Sequence, residues 1–125
     1  MRKRFFCVVL GITATLFVPV CSAPALADDA ELCASSELDQ AILACTRLIS
    51  SSKVSQADRG VAYVFRAIAY FNKGDYDRAI ADATQAIELD GKNLDAYFNR
   101  GVVYEKKGDY DRAVADYTKA ITRET

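Results

Sequence analysis

Apolar residues are used in two ways along this chain. From Phe5 to Val20 they form a nearly continuous run, broken only by Gly11, Thr13, Thr15 and Pro19. From Glu37 onward they recur at helical steps, as in Leu38, Ile42, Cys45 and Ile49, which predicts an amphipathic helix over Glu37 to Ser50. Tyr63, Ala67 and Tyr70 then share one stripe, and Ala79, Ala83 and Ala86 another. The two stripes predict helices from about Ala57 to Asn72 and from about Tyr76 to Leu89. Between them, Gly74 suits the left-handed residue that ends a helix, and Asp75 suits the N-cap of the next. Large tyrosines face small alanines across this hairpin, so its helices can approach closely and pack without voids.

The hairpin is repeated. Lys73-Gly74-Asp75-Tyr76-Asp77-Arg78-Ala79-Ile80-Ala81-Asp82 recurs 34 residues later as Lys107-Gly108-Asp109-Tyr110-Asp111-Arg112-Ala113-Val114-Ala115-Asp116. The correspondence extends to Tyr63 and Tyr97, Arg66 and Arg100, Tyr70 and Tyr104, Thr84 and Thr118, Ala86 and Ala120, and Ile87 and Ile121. Arg66 precedes Asp82 by sixteen residues, and Arg100 precedes Asp116 by the same interval. This predicts that each Arg crosses its own hairpin to pair with that Asp.

Period, turn and residues together resemble the tetratricopeptide repeat. The resemblance runs over roughly residues 57 to 123, through Tyr63 and Tyr97, Ala67 and Gly101, Tyr70 and Tyr104, and the alanines Ala79, Ala86, Ala113 and Ala120. Arg66 and Arg100 stand where the family usually has Leu, and Gly91 where it has Pro. The implied fold is all-α, a solenoid of tandem antiparallel helical hairpins. Residues 57–93 make a first repeat and residues 94–125 a second. Residues 28–56 form an N-terminal amphipathic cap helix, read as a diverged half-repeat in which Ala41 to Thr46 matches a second helix at a spacing of 38 instead of 34. Short exported bacterial proteins with a Cys-containing helix ahead of such repeats are similar.

In that family the leading helices line a concave groove that takes up protein partners. Carried over, the groove positions are Val61, Val64, Phe65, Ile68 and Phe71 in the first repeat, and Asp95, Phe98, Asn99, Val102 and Glu105 in the second. The first set is apolar, and a contiguous apolar patch implies a partner or a covering element. The competing reading is that Val64, Phe65, Ile68 and Phe98 pack against the cap helix or a neighbouring repeat. Chaperone-binding members clamp a C-terminal carboxylate with Lys, Asn and Arg. Only Asn99 matches, with Val64 and Ile68 at positions where Lys and Asn would be expected, so the groove suits an apolar or amphipathic peptide instead.

The N-terminus changes the expected destination. Met1-Arg2-Lys3-Arg4, the apolar run and Ala25-Leu26-Ala27 follow the order of a secretory signal peptide over residues 1–27, cleaved after Ala27 into the periplasm or beyond. A retained anchor is the alternative, but Pro19 and the short run fall below the ~20 residues a span needs. The residues Val18-Pro19-Val20 before Cys21 do not resemble a lipidation box. Cleavage removes three basic residues and no acidic one, which leaves 13 of the 16 basic residues against 17 acidic. That mild acidity excludes a broad nucleic-acid footprint, which needs clustered Lys and Arg. Cys33 and Cys45 remain as the mature thiols. Export favours a disulfide between them, the alternative being two small buried apolar residues.

Catalytic chemistry is poorly supplied. The chain has no His and no Trp, and no Cys-x-x-Cys, so the commonest acid/base group and the usual metal and redox motifs are missing. Asp75, Asp77 and Asp82 recur at turn and surface positions, as caps and solvated faces do. The expectation is a non-enzymatic module without cofactor or metal that binds another protein or peptide. Repeat arrays need about three units and a polar terminal helix, and the sequence stops at Thr125 with no capping helix. Tyr117 and Ile121 are therefore expected on an open face, where the chain self-associates as a scaffold subunit or docks to a larger assembly. An enzyme accessory subunit is the remote alternative.

Overall fold

The computed structural model describes residues 25–122, so the basic start, the apolar run, Cys7 and Cys21 lie outside the described residues. Six helices and no strand occur among those described: α1 (Ala25–Cys33), α2 (Leu38–Ser50), α3 (Gln56–Asn72), α4 (Tyr76–Leu89), α5 (Leu94–Lys107) and α6 (Tyr110–Ile121). Successive helices pack in pairs, α1 with α2, α3 with α4 and α5 with α6, and α2 and α4 each rest on the helix that follows. The leading helices α1, α3 and α5 also touch in series, and form one row of the solenoid.

The helix ends follow from local chemistry. Ser55, Asp75, Asn93 and Asp109 each accept a backbone N–H from the third residue on, and so satisfy donors that a helix start leaves open. Gly74 and Gly108 adopt φ of 80° and 79°. In that left-handed turn the N–H groups of Asp75 and Asp109 reach back to the carbonyls of Tyr70 and Tyr104 at 2.9 Å, closing the helix ends at the two positions where glycine avoids steric cost.

Residues 28–56 do not form one cap helix as expected. They lie mostly in a complete hairpin, because α1 precedes α2. The apolar residues Leu26, Leu32 and Cys33 of α1 join Ala44, Cys45, Leu48 and Ala62 in an N-terminal core. Cys33 and Cys45 are bridged, with Cα atoms 4.8 Å apart. Cleavage after Ala27 would cut within α1 and remove Leu26 from that core.

Alanines dominate the core. Ala44, Ala79, Ala83, Ala86 and Ala96 are completely inaccessible, which lets the helix axes approach closely. The second repeat modifies this theme: where the first has Ala67 and Ala83, it has Gly101 and Tyr117. A Cβ on Gly101 would lie 2.8 Å from the Tyr117 ring, so the absent methyl makes room for the added phenol.

Arg and Asp stitch each hairpin. Arg66 donates from Nε and Nη2 to Asp82 at 2.7 Å each, and Arg100 does the same to Asp116 at 2.7 and 2.8 Å. Each guanidinium lies over two tyrosines, Tyr63 and Tyr70 or Tyr97 and Tyr104, at 5.5–6.0 Å from their centroids. The third nitrogen of each reaches back to the preceding hairpin. Arg66 Nη1 donates to Thr46 Oγ1 at 2.9 Å, and Arg100 Nη1 donates to Thr84 Oγ1 at 3.0 Å. Thr46 therefore occupies the place of Thr84, in the register that the spacing of 38 implies. The α1–α2 hairpin carries its own pair with the charges exchanged: Arg47 on the second helix donates from Nε to Asp29 on the first at 2.9 Å.

Candidate functional site

The leading helices α1, α3 and α5 form one side of the solenoid, and both α3 and α5 expose apolar residues, Val61 and Phe65 on the first and Leu94 and Phe98 on the second. Val61 and Phe65 are one turn apart on α3 and stand exposed. Next to them a recess of about 300 Å³ opens between α1, α3 and the α2–α3 connection. Leu26, Leu48, Val54, Val61 and Phe65 supply its apolar wall, and Lys53 and Asp58 stand at its polar edge. Its base includes Cys33, so the bridge to Cys45 holds one wall of the recess against α2.

The expected groove residues divide. Val64 is buried and Ile68 half-buried, and both pack with Ala86 and Ala96 between the first and second repeats. They serve the solenoid core because α5 covers that face of α3, and so do not line an open surface. Val61, Phe65 and Phe98 are exposed, as are Asp95 and Glu105. Phe71 is half-buried with its ring 5.6 Å from that of Tyr76. Val102 is half-buried as well. Asn99 donates its amide back to the Asp95 carbonyl of its own helix at 2.8 Å. Leu26, Leu48 and Val54 were not legible as site residues, because they come from elements whose position against α3 no single-helix pattern reports.

Farther along, Phe98 lies 5.7 Å from the Tyr117 ring, and the Tyr117 hydroxyl donates to Glu105 at 2.6 Å. Loss of solvent around the phenol, and after it the hydrogen bond and charge of Glu105, push the Tyr117 pKa up to about 12 from its ordinary 10.0. The fold therefore holds this proton more tightly than the unfolded chain. Its contribution is intact below pH 10 and is lost as pH rises through about 12. Spectrophotometric titration should show one phenolate appearing near pH 12 that is missing in Tyr117→Phe. In Glu105→Gln its midpoint should fall yet stay above the ordinary value, since the larger cause remains.

The repeated carboxylates have structural roles. Asp75 and Asp109 cap helices, Asp82 and Asp116 hold Arg66 and Arg100, and Asp39 and Asp77 pair with Lys73 and Lys107. What remains for function is a shaped apolar surface with an acidic border.

Residues 66–124 match the family described as Tetratricopeptide repeat. No curated protein matches the chain in sequence. Among solved structures, the second TPR of Spaghetti (RPAP3) bound to HSP90 peptide SRMEEVD superposes with a TM-score of 0.66 at 26% identity, covering 78% of this chain and 86% of that one. A crystal structure of MamA aligns at 30% identity with a TM-score of 0.61, over 69% of this chain. A second MamA structure gives 30% and 0.60. This chain spans about half the length of the MamA chains, 48% and 45%.

Proposed function

Since this chain belongs to the tetratricopeptide repeat family, we propose that it is an exported interaction module that seats an apolar or amphipathic peptide along α3, with one side chain of that peptide entering the recess beside Val61 and Phe65. The fold supports protein or peptide binding. The recess of about 300 Å³, apolar inside and open at the surface, is the observation that carries the finer reading. An aliphatic or aromatic anchor suits its walls. Asp58 at its edge, and Asp95 and Glu105 farther along, disfavour the acidic kind of peptide that the Spaghetti TPR structure contains.

Export rests on the order of basic, apolar and small residues in positions 1–27. The paired Cys33 and Cys45 suit an oxidising compartment. No helix of the described residues is long and apolar enough to cross a membrane.

A peptide library displayed against the protein tests the site. Ligands selected on the wild type should share an apolar anchor. Phe65→Glu, which puts a carboxylate at the mouth of the recess, should weaken them by about tenfold or more, because an unpaired charge against an apolar anchor is costly. Selection of acidic peptides, or binding indifferent to both Phe65→Glu and Val61→Glu, would place recognition elsewhere.

A further inference from the structure

The second helices of the three hairpins, α2, α4 and α6, carry matching residues in matching places, but the described residues cover only two of the three. Their outer stripes read Leu38, Ile42 and Ile49 on α2, Tyr76, Ile80 and Ile87 on α4, and Tyr110, Val114 and Ile121 on α6. All six residues on α2 and α4 are half-buried. Ile49 packs against the core cluster that contains Ala62 of α3, and Ile87 against the one that contains Ala96 of α5. Their counterparts on α6 are 66%, 63% and 80% exposed.

The polar positions follow the same rule. On α2, Asp39 pairs with Lys73 and Thr46 accepts from Arg66; on α4, Asp77 pairs with Lys107 and Thr84 accepts from Arg100. The equivalent residues on α6 are Asp111 and Thr118, and neither has such a partner among the described residues. Thr118 is already set as Thr46 is. Its hydroxyl donates to the carbonyl four residues back at 2.7 Å, as the Thr46 hydroxyl does at 2.6 Å, which leaves the oxygen free to accept. Beside it a hollow of about 420 Å³ runs between Leu94, Tyr97 and Thr122.

We infer that the outer face of α6 docks a helical hairpin of another protein, whose leading helix carries an Arg for Thr118 and, seven residues on, a Lys for Asp111. That spacing is the one by which Arg66 with Lys73, and Arg100 with Lys107, engage α2 and α4. Small residues on the approaching helix, in the places of Ala62 and Ala96, would allow it to cover Val114 and Ile121. A second intact copy does not meet this description. Its first leading helix among the described residues is α1, whose sequence ALADDAELC has no Lys or Arg and exposes Asp28 and Glu31. Stacked on α6, it would bring carboxylates toward Asp111. This surface is distinct from the recess on α3, so either can fail without the other.

The probe is a synthetic hairpin with the sequence of residues 93–122, which contains Arg100, Lys107 and Asp116, titrated into the full chain and followed by calorimetry. Binding is expected to weaken by about tenfold on Asp111→Lys in the protein, and to recover when the probe carries Lys107→Asp, as a charge-assisted contact requires. Thr118→Val should weaken it as well. Absence of binding by a probe that circular dichroism shows to be helical, or binding indifferent to Asp111→Lys, would overturn the assignment. Dimerisation of the protein alone that Asp111→Lys abolishes would overturn the choice of partner in favour of a second copy.

Discussion

Asp82→Ala is expected to destabilise the domain by about 3–5 kcal/mol, the range for removing one partner of a buried ion pair, with a melting temperature lower by about 15 °C for a domain of this size. The Arg66 side chain is only 17% exposed and that of Asp82 8%. The hydrogen bonds that Arg66 donates to Asp82 raise the Arg66 pKa, while burial lowers it. Without the carboxylate, the guanidinium stays between α3, α4 and Thr46 of α2 with its main counter-ion gone. The two rings beneath it offset only part of the loss. Replacing both residues by Leu should cost far less than Asp82→Ala, since buried pairs can be exchanged for apolar groups at little net change. Denaturant melts of Asp82→Leu, Arg66→Leu and the double Leu variant close the cycle. A coupling energy near zero would mean that the pair does not hold the hairpin. Asp116→Ala should follow the same course with a smaller loss, because the α5–α6 hairpin has a packed neighbour on one side only among the described helices.

Removing the bridge by Cys33→Ala with Cys45→Ala should destabilise by about 3 kcal/mol, the chain-entropy value for a loop of this length, the two cysteines being 12 residues apart. A reductant should lower the melting temperature of the wild type toward that of the double variant and leave the double variant unchanged. The site should respond too. The short α1 has only its partner α2 and a limited contact with α3 to hold it, and Ala30 and Cys33, which lie beyond the proposed cleavage point at Ala27, form one side of the recess. Peptides anchored there should bind the reduced protein more weakly, whereas a ligand of the α6 face should not distinguish the two states. Equal melting temperatures with and without reductant would show that the bridge contributes nothing to stability.

Much of this architecture was legible because the repeat states it twice. Gly74 and Gly108 mark turns that only a left-handed residue closes, and Asp75 and Asp109 mark helix starts that need a side-chain acceptor. The helices α2, α3 and α4 accordingly begin and end within a residue of where the periodicity puts them. The Arg-to-Asp interval of sixteen residues likewise translated into bidentate pairs at 2.7–2.8 Å. The first helix was not legible. Its nine residues include only Leu26, Leu32 and Cys33 as large apolar or sulfur-bearing contacts to the core, too sparse a stripe for periodicity to register.

The sequence by itself determined the local choices: helix, turn, cap, and which side chains inside one hairpin are large and which small. These depend on contacts within about 34 residues, and the repeat unit contains all of them. The tertiary structure decided which face of each helix remains for a partner. Val64 and Phe65 are adjacent and both apolar, yet one lies under α5 and the other beside the recess. Tyr76 and Tyr110 occupy the same place in their repeats, yet one is half-buried and the other open. Helical period assigns a residue to a stripe, but what covers the stripe is set by the angle at which the next hairpin stacks, and that angle comes from the packing of whole helices.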